Sequence, residues 1–453
     1  MRVFRGTSMV ASVTVPPGGL QEIVLPWILE LSEGISDNPG ERQSFVVANA
    51  AYRVLSDQPV TVTQFNPFEY DNGRMVGGGF LEPPARPDWS FSNDASLLLP
   101  AHSFTGNYIG SSYSPLSIQD DGLLGPVFGS EPGYIAIIGV TPEPTTVNVS
   151  VSTSVLADAA GRFPALSAGG VANFTLQRGE VAVVVAANPP NCTEGRPGRT
   201  TDESGRFFCN ESSLDLTGTR ITSSNQVAVF GGHKCAYVPY SAQACDHLEA
   251  QMPPLETWGM NYASGPMADP SGDERNIVRV TSAFPATTVT VSPPQGGTSS
   301  LTLAAGEWAE FEATSAFEIS ATNGVMVTQY LIGQIASEPN AERGDPSMVV
   351  LPPIQQYRRD YTFVTPTSYN TATGGQSFLL VVRRPGVDVT LDGASINPGW
   401  STVGTLEVGT ITVDGGTHQM ASAEPFGVIV YGMGVTTSYA YPAGLNLEEI
   451  LLI

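Results

Sequence analysis

Four histidines, His102, His233, His247 and His418, are the side chains of this chain that titrate near neutrality, so acid–base or metal chemistry would have to be built on them. None lies in an H-E-x-x-H zinc helix or beside a G-x-S-x-G nucleophile turn. Asp246, His247 and Glu249 are close in sequence, but neighbours on a strand or turn point apart and are poorly placed to bond one another. The expectation is therefore no catalytic residue, no metal site and no cofactor, with the histidines satisfied in loops or core. Four cysteines form two close pairs, Cys192 with Cys209 and Cys235 with Cys245. Neither pair has the C-x₂₋₄-C spacing of a zinc site. Disulfides are the expected state, and zinc, recruiting His233 and His247, is the alternative. Each bridge would contribute ~2–3 kcal/mol and imply an oxidising compartment. Two acidic loops, Asp120-Asp-Gly122 and Asp269-Pro-Ser-Gly-Asp-Glu274, offer oxygen ligands to a hard cation, yet match no EF-hand and read as solvated loops.

The rest of the composition narrows the class. The chain has 453 residues, 20 basic and 43 acidic, for a net charge of −23, and Lys234 is its single lysine. A duplex or an anionic membrane would repel such a surface, so nucleic acid and membrane insertion are not expected. Charged residues make up 14%, against ~25% in an ordinary soluble domain. Ser, Thr, Asn and Gln supply the polar surface instead. The longest apolar run, 181–187, is far short of a bilayer span. Met1 to Ser8 has no apolar h-region, so an extracellular or cell-surface location requires a signal sequence or lipid anchor ahead of Met1.

The segments that must position these residues read as strands. Runs such as Tyr134-Ile-Ala-Ile-Ile-Gly-Val140 and Thr288-Val-Thr-Val291 are β-branched and bounded by Gly, Pro, Asn or Asp. Four elements recur in one order: a strand pair, a Gly-tipped hairpin, a strand–turn–strand ending in an aromatic, and a connector with an acid, prolines and two aromatics. The hairpins are Val15-Pro-Pro-Gly-Gly19, Leu176-Gln-Arg-Gly-Glu180 and Leu303-Ala-Ala-Gly-Glu307. Arg53, Arg220 and Glu318 each precede Val60, Val227 and Val325 by seven residues. In the connectors, Asp246 leads to Trp258 and Tyr262 with the offsets by which Asp345 leads to Tyr357 and Tyr361. An all-β fold follows, of about four sandwich-like units packed in tandem: 1–93, 94–245, 246–344 and 345–453. A closed, propeller-like arrangement of the units is the alternative. The first unit lacks a copy of the opening strand, and the second is enlarged by a polar loop at 189–213 that holds the first cysteine pair.

Several motifs resemble those of the IgGFc-binding protein N-terminal domain family: Asp215-Leu-Thr-Gly-Thr-Arg-Ile221, Val227-Ala-Val-Phe-Gly-Gly-His233, Ala244-Cys-Asp-His-Leu248, Met252-Pro-Pro254 and Gly415-Gly-Thr-His418. The resemblance implies an extracellular, all-β binding or adhesion module for a protein or glycan ligand, without catalysis. Immunoglobulin Fc is implied by the family's name only, and a structural spacer array is the alternative function. Loops carry function more often than scaffolds do. The stretch 192–258 is accordingly the candidate binding surface, through His233, Tyr237, Asp246, His247 and Trp258.

Overall fold

The computed structural model describes residues 1–36, 39–65, 70–76, 86–90, 94–122, 125–201, 205–240, 242, 245–267, 275–333, 344–367, 369, 375–434 and 437–451. They form antiparallel sheets, three-residue 3₁₀ turns and one short α-helical turn, Glu30–Glu33. The third unit shows the plan. Its strands, in positions a to g, are Gly259–Ser264, Asn276–Ser282, Thr287–Gln295, Thr298–Leu303, Trp308–Ala313, Phe317–Leu331 and Ser347–Val350. One sheet runs d-c-f-a and the other e-b-f-g, with the long strand f entering both layers of a sandwich. Apolar residues alternate inward along c, as Val289 and Val291 do, because a strand half-buried in a sandwich faces the core every second residue.

The fourth unit repeats this order: Arg358–Thr365, Gly375–Arg383, Val389–Leu391, Ala394–Ser395, Leu406–Val413, Gly416–Gly434 and Thr437–Pro442. In the second, positions a to e are Asn107–Ile109, Gly133–Gly139, Thr145–Ser150, Val171–Leu176 and Val181–Val185. Strand f is there split into Arg220–Ser223 and Val227–Tyr237, and g is Cys245–Gln251. The g strands of units 1, 2 and 3, which the sequence reading places at the opening of the following unit, are each hydrogen-bonded to the f strand before them, and unit 4 has the same pairing. The first unit has c at Arg2–Arg5, d at Ser8–Ser12, f as Tyr52–Leu55 and Val62–Phe65, and g at Ala95–Leu98.

The four g strands close a ring. That of unit 2 lies beside those of units 1 and 3, and that of unit 4 beside those of units 3 and 1. The sandwiches therefore meet in the closed arrangement, and their cores run into one another: Trp258 packs in one apolar cluster with Tyr330 and Met348, and Phe65 joins the cluster of Tyr439 and Tyr441. Asp94 ties the ring from within. Its carboxylate accepts hydrogen bonds from the amides of Ala95, Glu249 and Met348 and from the Ser347 hydroxyl, so three g segments share one buried group.

Burial pushes the Asp94 carboxyl up to about 7, against the pull of those donors, whereas in the unfolded chain it titrates near 3.8. Between those values the folded form keeps a proton that the unfolded form has released, so acidification stabilises the fold through this group. Urea melts of the native protein and Asp94→Asn are expected to diverge accordingly: native stability relative to the variant rises as pH falls from 7 toward 4. His233, pushed down to about 3 by burial, works in the opposite sense but is common to both proteins and cancels. A difference independent of pH across that range would refute the assignment.

The connector aromatics have a repeated task. Tyr108, Tyr262 and Tyr361, one on each complete strand a, accept a hydrogen bond from the amide three residues earlier and donate to the carbonyl at the break in strand f: Val227, Val325 and Phe426. Each hydroxyl thereby satisfies two backbone groups that the kinked ladder leaves open. Tyr262→Phe strands both and is expected to lower unfolding free energy by ~1–2 kcal/mol in denaturant titrations, with the fold retained.

Candidate functional site

Unit 2 carries a sheet that units 3 and 4 lack. Two insertions build it, one between positions a and b and one between e and f, in the order Gly125–Glu131, Leu116–Gly122, Phe207–Asn210, Thr200–Thr201. The layer is too small for a core of its own; Leu116, Phe208 and Tyr237 form its apolar centre, with the Phe208 and Tyr237 rings 4.9 Å apart. Covalent links compensate. Cys209, opposite Ser117 in the ladder, is bonded to Cys192, and Cys235–Cys245 clips strands f and g where the layer meets the sandwich. All four cysteines are paired, which overturns the zinc alternative.

Guanidinium groups cover the layer's aromatic faces. Arg199 lies 3.4 Å from the centre of the Phe207 ring, and Arg206 is 5.5 Å from that of Phe208. Arg196 pairs with Glu211 and caps the carbonyl of Pro190, folding the loop back over strand Leu116–Gly122. Beneath the edge strand, buried Arg42 holds the Ser130 hydroxyl and carbonyl and Asn188. Burial pushes Glu131 up to about 7 and neighbouring Lys234 down to about 8, with 3.7 Å between them. The outer end of the edge strand is open: Gly125, Pro126 and Val127 are exposed, Val127 at 63%.

The five side chains proposed from the sequence do not share a surface. His233 is fully buried on strand f and its Nδ1 accepts the amide of Cys235, so the ring is neutral at physiological pH. Tyr237 belongs to the base of the added layer. Asp246 is buried and accepts the amide of His247. Trp258 is 1% exposed and donates its indole N–H to the carbonyl of Pro253 at the seam with unit 3. His247 alone reaches partly into solvent, against the Tyr134 ring and 3.8 Å from Glu249, whose other carboxylate oxygen accepts from Gln64.

The motif Gly231-Gly232-His233 is likewise a matter of packing. A Cβ on Gly231 would lie 1.7 Å from the carbonyl oxygen of Ser111, and one on Gly232 would lie 2.0 Å from that of Leu248. Glycine is required because two backbones cross there at contact distance. Among the described residues, no three His, Cys, Asp or Glu side chains converge as a metal site would require. The loop at 269–274 lies outside the described residues. What sequence reasoning missed was the exposed hairpin itself, Leu116–Glu131; the signal was an insertion between two otherwise repeated elements.

The comparisons agree with the motifs. The human IgGFc-binding protein is 29% identical over 244 residues, a stretch that covers 51% of this chain and 4% of that protein. No solved structure matches the chain. The family described as IgGFc binding protein matches residues 94–432, which takes in most of units 2, 3 and 4 with the added layer, and the chain belongs to that family.

Proposed function

We propose that this chain is an extracellular or cell-surface binding module that recognises a protein or glycan ligand and performs no bond chemistry. The observation behind this reading is the disulfide-clamped layer on unit 2: an insertion that the sandwich does not need, locked in shape and ending in an open, partly apolar strand edge. Open strand edges and rigid loops are what polypeptide recognition uses. Family membership and the name of the human relative support a protein ligand, and immunoglobulin Fc is the first to test. The two disulfides support a location outside a reducing cytosol, and no helix of the described residues is long and apolar enough to cross a membrane.

The chain divides into four units, 1–93, 94–245, 246–344 and 345–453 except that each g strand belongs with the f strand before it, and the second unit presents the ligand. Binding is measured by retention of immunoglobulin Fc and of mucin glycans on the immobilised chain. Val127→Arg places a charge on the open edge without touching the buried base, and is expected to weaken retention at least tenfold while leaving the melting temperature unchanged. Failure of the native chain to retain either class overturns the reading in favour of a structural spacer, for which the closed ring of g strands is the supporting feature.

A further inference from the structure

The turns that lead into strand e hold the ring together a second time, because each seats on the unit before it. The Gly179 carbonyl of unit 2 accepts the amides of Ala50 and Ala51 in unit 1, at 2.8 and 3.3 Å. In unit 3 the Gly306 carbonyl lies so close to Gly218 of unit 2 that a Cβ on Gly218 would be 2.0 Å from its oxygen. The Thr405 amide of unit 4 donates to the Glu318 carboxylate of unit 3 at 3.2 Å. Unit 1 completes the circle. Its turn, Pro16-Pro-Gly-Gly19, reaches unit 4, where a Cβ on Gly18 would lie 2.9 Å from the side-chain nitrogen of Gln419. Of the four seats, this last one is built beside a histidine.

His418, which closes the Gly415-Gly-Thr-His418 motif, joins three elements of unit 4. Asp392 and Gly393 link strands c and d, both left-handed as a two-residue hairpin turn requires, with φ of 51° and 83°. The Asp392 carboxylate reaches back to strand f, where one oxygen accepts the Gln419 amide at 2.8 Å and the other faces His418 Nδ1 at 2.8 Å. The Asp392 amide in turn donates to the Gln419 carbonyl. His418 Nε2 faces the carbonyl of Asp414, in the turn ahead of strand f, at 2.9 Å. Both ring nitrogens therefore face acceptors. A neutral imidazole has one N–H and serves one of them, whereas the imidazolium serves both. Burial pushes the Asp392 carboxyl up, but the Gln419 amide and His418 outweigh it and hold the group below its usual range. Among the described residues no other charge faces the ring: strand a presents Phe363, its ring 5.7 Å away, Asp360 lies on the other face of that strand, the Asp414 side chain is exposed, and the unit 1 turn carries no titratable group.

We propose that His418 and Asp392 form a protonation-dependent latch on the seam between units 4 and 1. In mildly acidic surroundings the imidazolium ties the c–d turn and the turn ahead of strand f to one another, and Gln419 offers the unit 1 turn a fixed seat. Loss of the proton removes one of the two hydrogen bonds and the attraction to Asp392, and the seat loosens. The closed clasp holds a proton that an open one releases, so acid tightens this seam and alkali relaxes it. The other three seats involve no histidine and do not respond. This latch does not rest on the ligand-binding layer of unit 2.

The test is hydrogen exchange of the full chain between about pH 5 and pH 8, the interval in which histidine changes charge, with rates expressed as protection factors so that the intrinsic pH dependence of exchange drops out. Protection at the amides of Gly19, Asp392 and Gln419 is expected to fall about tenfold across the interval, the effect of losing one hydrogen bond. The Ala50 amide, at the seat of unit 2 on unit 1, should stay level and so separates this local change from any change in global stability. His418→Gln, which donates without charge, should flatten the profile at the level the native chain shows in alkali. Asp392→Asn should flatten it as well, and serves if the first variant does not fold. With the four histidines labelled with nitrogen-15, His418 is expected to carry both ring protons on the acid side, and its titration should coincide with the loss of protection. A flat native profile, a slope that survives both substitutions, or an equal loss at Ala50 overturns the proposal, and none of these bears on retention of Fc by unit 2.

Discussion

Arg279→Ala is expected to remove about 3–5 kcal/mol of unfolding free energy, a large fraction of what a protein of this kind has to lose. Arg279 sits on strand b of unit 3 with its side chain fully buried, and reaches across the seam into unit 2. Its guanidinium donates to Glu310 at 2.7 Å, to the Thr217 hydroxyl at 2.6 Å and to the carbonyl of Ser112 at 2.8 Å, and lies 3.0 Å from the buried carboxylate of Asp215. The Trp308 ring covers one face at 3.9 Å. Removing the cation leaves Asp215 without its neutralising partner in a site that water does not reach, and that uncompensated charge dominates the cost. The Asp215 carboxylate still accepts from Thr217 and Ser114, which offsets part of it.

The measurement is guanidinium unfolding of native protein, Arg279→Ala, Asp215→Asn and the double variant. The double variant is expected to be more stable than the sum of the single losses implies, because the second change removes the charge that the first leaves stranded. Additive losses, or a loss below ~1 kcal/mol for Arg279→Ala, would show that water relaxes the site and that the seam does not depend on this pair.

Much of the architecture was legible because it repeats. The seven-residue spacing from Arg220 to Val227 and from Glu318 to Val325 marked strand f and its break, whereas the equal offsets from Asp246 and Asp345 read as connectors, and the structure places the g strands and 3₁₀ turns there. The cysteine pairing was legible from locality, since separations of 17 and 10 residues make the neighbouring cysteine the readiest partner. The site was not legible in the same way. His233, Asp246 and Trp258 were chosen for distinctive chemistry within distinctive motifs, but here those motifs encode close backbone crossings and seams, as the 1.7 Å approach at Gly231 shows. The Arg279 network was invisible because its partners at 112, 215 and 217 are more than 60 residues away, and only the closed packing of neighbouring sandwiches brings them together.

Removing the Cys192–Cys209 bridge is expected to melt the added layer while leaving the sandwiches folded. The bridge closes a 17-residue loop, worth ~3 kcal/mol on the chain-entropy account. The layer it serves has a small apolar centre resting on Leu116, Phe208 and Tyr237, and a two-residue outer strand, Thr200–Thr201. So thin a layer has little else to set against the entropy of ordering two insertions. Trypsin reports the outcome directly, because Arg199 and Arg206 lie in the loop, neither precedes a proline, and both are held against the Phe207 and Phe208 rings. In a Cys192→Ser, Cys209→Ser variant, cleavage after Arg199 and Arg206 should precede all other cuts and accelerate at least tenfold. The far-ultraviolet spectrum of the remainder should stay β-rich, and retention of any ligand bound by the native chain should fall with the layer. Cys235–Cys245 joins two strands that the ladder already pairs, at Tyr237 opposite Cys245, so its loss should cost less and leave the loop resistant. Equal protease resistance with and without the first bridge would mean that non-covalent packing alone holds the layer, and would remove the reason for treating it as a preformed binding face.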